Sequence, residues 1–321
     1  MICAEDEIGV GTSHDGIIEL PETVKPGTLA KDYYNVKDDY MFEVDLTPNR
    51  IDAASHFGVA RDLAAWMKAQ GMQADLHSPS VDAFHSDRAD GAIPVEVECQ
   101  EAAIRYAGLT IRGVKVAESP EWLRNYLTAI GQRPINNVVD ITNFILNAYC
   151  QPLHCFDLAK VKGNKIVVRP AAEGSKFVTL DGVERTMTAR DLMICNAEEP
   201  MCIAGVFGGL DSGVTEQTTD IFLESACFHP TWVRKTARRQ GLNTDASFRF
   251  ERGVKELAGG EICGEISDFY PAPVERPMVE LSLDYMSRLI GKTLDKGLVK
   301  TIPAAPEMEI EKETDDVLTL R

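Results

Sequence analysis

The spacing of apolar and polar residues changes along the first part of the chain. Residues 42–50 alternate between apolar and polar side chains, which predicts a strand because neighbouring side chains in a strand point to opposite faces. Residues 58–71 repeat apolar side chains at helical spacing and end at Gly71, which predicts an amphipathic helix. We therefore predict one small α/β unit over residues 1–75.

A longer region follows a polar segment. Residues 76–92 are polar and have no regular period, which predicts a linker. Residues 93–265 mix short apolar runs typical of strands with helical spacing, which predicts a mixed α/β domain. The strand candidates are residues 93–98, 106–114, 165–171, 192–197, 201–209 and 221–228, and the helix candidates are residues 120–131, 141–149 and 231–240.

The last region begins after a proline-rich segment. Residues 266–277 contain three prolines, which disfavour a continued helix or a central strand, so we predict a second linker. Residues 278–321 then repeat apolar side chains at helical spacing, namely at Leu283, Met286, Leu289 and Ile290. The whole chain is predicted to have a multidomain α+β fold, with a central mixed α/β domain between two smaller units.

Composition excludes several classes of protein. With 321 residues, 44% hydrophobic and 26% charged, the chain is typical of globular proteins that fold in water. Its eight cysteines are scattered without a paired CxxC, so neither a zinc ribbon nor a disulfide framework is expected. Since no apolar stretch is long enough to cross a membrane and the amino terminus lacks a secretory signal, we expect a cytoplasmic protein with no membrane partner.

The net charge limits how the chain could contact nucleic acid. A charge of −17 opposes long-range attraction to phosphates, so any RNA contact must be local. The predicted helix at 231–240 is the best place, because its cationic side chains recur four residues apart. They are Arg234, Lys235, Arg238 and Arg239. A solvated helix face would give the same pattern, and the sequence leaves both interpretations open.

Residues 133–157 place polar groups beside a segment with an apolar helical face. Asn143 and His154 could therefore face a shared cleft. A structural explanation competes with this hypothesis: Asp140 or Thr142 would cap a helix, and His154 would be a hydrogen-bonded core histidine.

Three further stretches are candidates for the same cleft. Residues 201–213 contain Gly205, and glycines let a backbone approach a ligand closely. Glu224 interrupts an apolar strand candidate, so its carboxyl must find a partner or shift its ionisation. Thr244 and Ala246 border a turn that is rich in small residues. Each signal is weak alone, and together they predict a ligand site.

A family resemblance joins these stretches. DLTPNR, GVARDLAA, RPINNVVDITNF, QPLHCFD, IAGVFGG, LESACF and TDASFRFERG occur in this order, and together they resemble the β subunit of bacterial phenylalanyl-tRNA synthetase. The resemblance implies a fragment that starts after the oligonucleotide-binding domain, contains the editing domain and ends inside a winged-helix-like domain. The segments after Gly253 and near Pro303 are shorter than in the family.

The resemblance also implies a function: hydrolysis of tyrosine that has been wrongly esterified to phenylalanine tRNA. An apolar pocket rejects an added hydroxyl only about a hundredfold, whereas a pocket with a buried polar partner selects for it far more strongly. The implied partners are phenylalanine tRNA and the α subunit of an α2β2 heterotetramer. ATP and magnesium are implied for the full synthetase, and no cofactor or metal is implied for this chain.

The family's editing site maps onto seven positions of this sequence. The resemblance implies that three of them orient the adenosine, the ester and the attacking water, and that four bind the substrate. The first group is His154, Asn143 and Thr244, and the second is Glu224, Gly205, Ala204 and Ala246. Glu224 and the Gly205 backbone would recognise the phenolic hydroxyl, and Ala246 would leave room for the ring.

Other functions compete with this hypothesis. The chain could be a non-catalytic scaffolding and RNA-binding module, or a small-molecule or metal-dependent hydrolase that uses His154 and Glu224. The sequence lacks a GxSxG nucleophile elbow and an HExxH metal motif. Cys155 is a weak candidate for a nucleophile, because neighbouring side chains in a strand point to opposite faces.

Overall fold

The protein is described by a computed structural model. The described residues are 3–11, 13–35, 39–47, 49–242, 261–302 and 308–321. Their contacts divide the chain into two compact units, Met1–Val44 and Asp45–Arg321. This division falls inside the unit predicted for residues 1–75, whereas the other predicted boundaries stay predictions.

The first unit has little regular structure in its described residues. It contains a 3-10 turn at Asp6–Ile8 and a single-turn helix α1 at Ala30–Tyr33. The strand predicted over residues 42–50 is wrong, because residues 42–47 and 49–50 form no strand. Phe42 is 84% exposed. Alternation alone does not make a strand, since the backbone also needs a hydrogen-bonded neighbour.

The first α-helix of the second unit is the predicted amphipathic helix, which follows a 3-10 turn at Ile51–Ala53. Helix α2 spans His56–Ala69, and the Ser55 hydroxyl caps it by accepting a hydrogen bond from the Gly58 amide. Gly58 is required, because a Cβ there would lie 2.4 Å from the Asp52 carbonyl oxygen. The helix gives way to Gly71, which has a φ of +74°, so the predicted end is confirmed.

Two sheets and three helices form the centre of this unit. The four-stranded antiparallel sheet has the order β11-β2-β10-β3, with β2 at Ala103–Arg112, β3 at Leu153–Asp157, β10 at Asp220–Phe228 and β11 at Glu261–Phe269. The five-stranded sheet has the order β1-β4-β7-β8-β9, with β1 at Val95–Val97, β4 at Ile166–Pro170, β7 at Leu192–Cys195, β8 at Pro200–Ile203 and β9 at Phe207–Gly208. A hairpin joins β5 at Lys176–Val178 to β6 at Glu184–Thr186, and the helices are α3 at Glu121–Ala129, α4 at Asn137–Tyr149 and α5 at Pro230–Gln240.

Strand alternation gives the four-stranded sheet two different cores. Phe156 and Phe222 pack against residues of the five-stranded sheet such as Ile194. Leu109 and Leu223 point the other way and pack with residues of α4 such as Ile141. On the far side of the five-stranded sheet, Ala237 of α5 joins a third core. The layers are therefore helix, sheet, sheet and helix.

Helix α4 begins earlier than predicted because Asn136 caps it. The Asn136 Oδ1 accepts hydrogen bonds from the amides of Val138 and Val139. Neither Asp140 nor Thr142 is the cap. The Asp140 carboxylate accepts from the Ser119 hydroxyl at 2.5 Å, so it joins the helix to the segment before α3.

Residues 278–321 contain a smaller three-stranded sheet. Its strands are β12 at Val279–Ser282, β13 at Ile310–Glu313 and β14 at Val317–Leu320, in the order β12-β14-β13. Helices α6 at Leu283–Ile290 and α7 at Lys296–Thr301 accompany it, which confirms the predicted helix at Leu283–Ile290. The winged-helix-like assignment remains a prediction.

The α+β fold class is confirmed by these sheets and helices. Strand β11 continues to Phe269, so the first residues of the linker predicted at 266–277 are strand. Within the described residues, no helix is long and apolar enough to span a bilayer.

Candidate functional site

Glu224 lies between the two central sheets. It belongs to β10, where it pairs with Gly108 of β2 on one side and with His154 of β3 on the other. Its side chain shares a face of the sheet with Phe222, which is part of the core between the sheets. Only 6% of Glu224 is exposed. Burial raises the pKa of its carboxyl to about 8, because a charge is costly away from water.

Tyr106 is the hydrogen-bond partner of this carboxyl. Its hydroxyl donates to Oε2 of Glu224 at 3.0 Å, and its side chain is fully buried. The hydrogen bond partly opposes the effect of burial on the pKa of Glu224. Burial also raises the pKa of Tyr106 well above its ordinary value. Both groups are therefore neutral at neutral pH.

His154 stands beside Glu224 on the edge strand β3. Its ring meets Phe156 edge-on, with ring centroids 4.5 Å apart. The Nε2 atom is shielded from solvent and has no hydrogen-bond partner within the described parts of the chain. Burial lowers the pKa of His154 to about 4, so the imidazole is neutral at neutral pH. The alternative of a hydrogen-bonded core histidine is not supported at Nε2.

The turn after β8 borders the same space. Ala204 is buried in the core between the sheets, together with Tyr106 and Phe222. Gly205 follows in a left-handed conformation with a φ of +66°. A Cβ at Gly205 would lie 3.0 Å from Cδ2 of Phe228. The glycine therefore serves both the turn and the close packing around it.

Glycine also shapes the strand opposite Glu224. A Cβ at Gly108 would lie 2.1 Å from Cζ of Phe222, so the Phe222 ring fills the space over Gly108. The ring of His154 similarly approaches Gly208, with its Cε1 3.2 Å from the position of a Cβ. Larger residues at either glycine would displace an aromatic ring that lines the site.

The structure does not bring all predicted site residues onto one face. Asn143 lies on α4, whose residues Val138 and Ile141 pack on the opposite face of the four-stranded sheet from His154 and Glu224. The shared cleft of Asn143 and His154 therefore stays a prediction. Thr244 and Ala246 lie outside the described residues.

Cys155 points away from this site. It belongs to the core on the α4 side of the sheet, as strand alternation predicts for the neighbour of His154. Burial raises the pKa of its thiol to about 12, which leaves it protonated and unreactive. Among the described residues, no group of three or more His, Cys, Asp or Glu side chains is arranged to hold a metal ion.

Sequence analysis missed Tyr106 and Gly108. Both lie in the strand candidate at 106–114, and only the register of β2 with β10 shows that they face Glu224. A usable signal existed: a glutamate in an apolar strand needs a donor, and tyrosine is a residue type that can supply one from the core.

Helix α5 carries exposed positive charge next to the site. Its Val233 side chain lies 3.1 Å from the position of a Cβ at Gly205. Arg234, Lys235 and Arg238 are exposed, and within the described residues none of them takes part in an ion pair. Arg239 differs, because it pairs with the buried carboxylate of Asp191. Among the described residues, the predicted row of four cations thus has three side chains outside ion pairs and one structural side chain.

Known proteins match the chain over its whole length. Residues 102–261, about half of the chain, match the B3/4 domain family. The phenylalanine–tRNA ligase beta subunit of Bacteroides fragilis (strain YCH46) is 62% identical over an alignment that covers 100% of this chain and 41% of that protein. The same subunit of Porphyromonas gingivalis is 54% identical over 100% of this chain and 41% of that protein. The chain belongs to the phenylalanine–tRNA ligase beta subunit family.

The chain spans about 41% of the length of these relatives. A solved structure, an N-terminal fragment of the phenylalanyl-tRNA synthetase beta-subunit from Pyrococcus horikoshii, covers 85% of this chain and 78% of its own chain at 16% identity, with a TM-score of 0.37. The family assignment rests on the sequence relatives. Glu224, Tyr106, His154 and Gly205 all lie inside the B3/4 match.

Proposed function

We propose that this chain contains a hydrolytic editing site, which removes tyrosine that has been esterified to phenylalanine tRNA. The observation that carries the proposal is the pair of Glu224 and His154. They stand opposite each other in the sheet, one with a buried carboxyl and the other with an unpaired buried nitrogen. Buried polar groups without full partners are costly in a core, and such groups cluster at functional sites.

Glu224 suits the recognition of a phenolic hydroxyl. Tyrosine and phenylalanine differ by that hydroxyl alone, so the site must contain a polar atom that only tyrosine can satisfy. The Glu224 carboxyl has two oxygens, and Tyr106 binds one of them. A phenylalanyl ester would leave the other oxygen unpaired, at a cost of about 1–3 kcal/mol.

His154 suits the placement of water at the ester. With a pKa of about 4, the imidazole is a weak base, and its contribution is to orient the attacking water. A neutral imidazole accepts a hydrogen bond from that water through its unprotonated ring nitrogen. An ester is already activated, so orienting the water and stabilising the oxyanion suffice without a covalent nucleophile.

The remaining assignments follow from the family resemblance. We propose that Asn143 and Thr244 help to orient the adenosine and the ester, and that Ala204, Gly205 and Ala246 shape the part of the site that holds the ring. For the whole enzyme we propose a cytoplasmic α2β2 synthetase with phenylalanine tRNA, ATP and magnesium as its partners and ligands, none of them a cofactor of this chain.

A second candidate is a non-catalytic scaffolding and RNA-binding module. The exposed cations Arg234, Lys235 and Arg238 on α5 favour RNA binding. They are compatible with editing as well, because α5 contacts the turn at Gly205. The two functions are separated by whether the ester is hydrolysed.

The test follows ester loss from phenylalanine tRNA charged with tyrosine, in the assembled synthetase. Glu224→Ala is expected to slow hydrolysis by about tenfold or more, since one buried hydrogen bond to the substrate is lost. Glu265→Ala is the matched control, because Glu265 is an exposed glutamate on β11 of the same sheet. Equal rates for wild type and Glu224→Ala would remove the proposed hydroxyl recognition.

A tyrosine soak tests the position of the site without catalysis. Tyrosine bound with its hydroxyl at Glu224 and beside Gly205 would support the proposal. Tyrosine bound elsewhere would count against it. Tight RNA binding without any ester hydrolysis would favour the scaffolding module.

A further inference from the structure

The hydrogen bond from Tyr106 makes the two oxygens of Glu224 unequal. Tyr106 is two residues from Gly108, the residue that pairs with Glu224 across β2 and β10. The tyrosine therefore reaches the carboxyl diagonally across the sheet, at a spacing that a long aromatic side chain can bridge. Its hydroxyl donates a hydrogen bond to Oε2 at 3.0 Å. Oε1 has no hydrogen-bond partner among the described residues.

The Tyr106 ring is held on all sides. The side chain is 0% exposed, and it belongs to the core between the two sheets together with Phe156 and Ala204. The ring of Phe228 lies 6.4 Å away between centroids. A side chain packed in this way has one rotamer available, so the hydroxyl has a fixed position.

Among the described residues, no charged group near Glu224 competes with Tyr106 for control of the carboxyl. The titratable groups around it in the described chain are His154 on β3, Cys202 on β8 and Cys155 on the far face of β3. Burial lowers the pKa of His154 to about 4 and raises that of Cys155 to about 12. It also raises the pKa of Cys202 well above its ordinary value. All three are neutral at neutral pH.

We propose that Tyr106 is a positioning residue that determines specificity: by occupying Oε2 of Glu224, it leaves Oε1 as the one oxygen offered to a hydroxyl-bearing aromatic ester. This inference rests on the proposed editing function and deepens it. In the neutral carboxyl, Tyr106 donates to the carbonyl oxygen Oε2, so Oε1 carries the proton and donates to the ligand's hydroxyl. In the ionised carboxylate, Oε1 accepts from that hydroxyl. Tyr106 thus keeps the same oxygen facing the ligand in both states.

The test compares Tyr106→Phe with wild type in the assembled synthetase, using tyrosyl and phenylalanyl esters of phenylalanine tRNA. The variant is expected to lose about tenfold of its preference for the tyrosyl ester, mostly through KM, because Glu224 is no longer held for binding. The midpoint of the pH dependence of its hydrolysis rate is expected to move upward. The hydrogen bond from Tyr106 lowers the pKa of Glu224, so its loss raises that pKa. Unchanged preference with an unchanged midpoint would overturn the proposal.

Tyr149→Phe is the matched control. Tyr149 ends α4 and packs against Phe57, so the substitution removes the same hydroxyl without touching Glu224. It is expected to keep wild-type preference and the wild-type midpoint. Glu224→Asp tests the same contact if Tyr106→Phe fails to fold, because the shorter side chain withdraws the carboxyl from the tyrosine. Wild-type preference in Glu224→Asp would also overturn the proposal.

A titration separates this proposal from the proposed function. The pKa of Glu224 can be followed by carbon NMR of the labelled carboxyl, with no substrate present. Tyr106→Phe is expected to raise that pKa above the wild-type value. If the wild-type synthetase fails to hydrolyse the tyrosyl ester, the editing function is wrong. An unchanged Glu224 titration overturns the role of Tyr106 independently.

Discussion

His154 of β3 stands directly opposite Glu224 of β10 in the antiparallel register of the four-stranded sheet. The two side chains share a face, and each titrates far from its usual range because of burial. The two pKa shifts run in opposite directions but have the same consequence for charge, because each favours the neutral form of its group. Burial keeps the carboxyl protonated up to about pH 8 and keeps the imidazole deprotonated down to about pH 4. The site is therefore uncharged across the neutral range.

Glu224 makes stability fall as pH rises. Its folded pKa of about 8 lies above the ordinary value of 4.5, so between these values the folded chain holds a proton that the unfolded chain releases. The free energy of unfolding should decrease by up to about 1.4 kcal/mol per pH unit across that window. Glu224→Gln should remove this slope, as measured by urea unfolding at several pH values. Parallel slopes for the two proteins would contradict the buried neutral carboxyl.

His154 acts in the opposite direction. Its folded pKa of about 4 lies below the ordinary 6.5, so the unfolded chain takes up a proton first as the pH falls. Stability from this residue is present above 6.5 and is lost as the pH falls towards 4. His154→Gln should lose less stability on acidification than wild type does. His77→Gln, at an exposed histidine, is the control and should lose as much stability as wild type. Denaturant unfolding across the acidic range provides the measurement.

Gly205 is expected to resist replacement. Its φ of +66° is unfavourable for alanine, and a Cβ would press on Phe228. Gly205→Ala should lower the free energy of unfolding by about 1–2 kcal/mol or more. Gly213→Ala is the control, because a Cβ there has no atom within 4 Å and the backbone is not left-handed. Equal effects at both glycines would show that the turn tolerates a side chain.

From the exposed cations of helix α5 we expect a local electrostatic contact with RNA. Arg234→Glu should weaken the binding of phenylalanine tRNA by the assembled synthetase and reduce the dependence of binding on salt, since a phosphate contact is lost. Lys292→Glu is a charge-matched control, because Lys292 is exposed and lies after α6. Titrations at two salt concentrations measure both quantities. If the two variants bind RNA equally well, the cations of α5 are only a solvated helix face.

Elements that are determined by their own local sequence were predicted well. Helix α2 was expected from apolar spacing and an ending glycine, and α5 and β10 appear within a residue of their predicted positions. The strand predicted at 42–50 failed, because pairing depends on a neighbour that local alternation does not supply. The start of α4 was misplaced for a similar reason, since several polar residues could cap it and only the structure selects Asn136.

The candidate site was only partly accessible from the sequence. Glu224 drew attention because a carboxyl in an apolar strand needs an explanation, and His154 because it lies beside a segment with an apolar helical face. The register between distant strands places Glu224 opposite His154 and brings the Tyr106 hydroxyl to the Glu224 carboxyl. The same register places α4 and Asn143 beyond the other face, which neither spacing nor resemblance indicates.

The order of strands in the four-stranded sheet gives the two halves of the site different rigidity. Glu224 lies on β10, which has a strand on each side, whereas His154 lies on β3 at the sheet's edge. Edge strands open more readily than strands paired on both sides. The Glu224 carboxyl is thus held more firmly than the His154 imidazole, and under the proposed function this difference would let the imidazole adjust to esters of different shape.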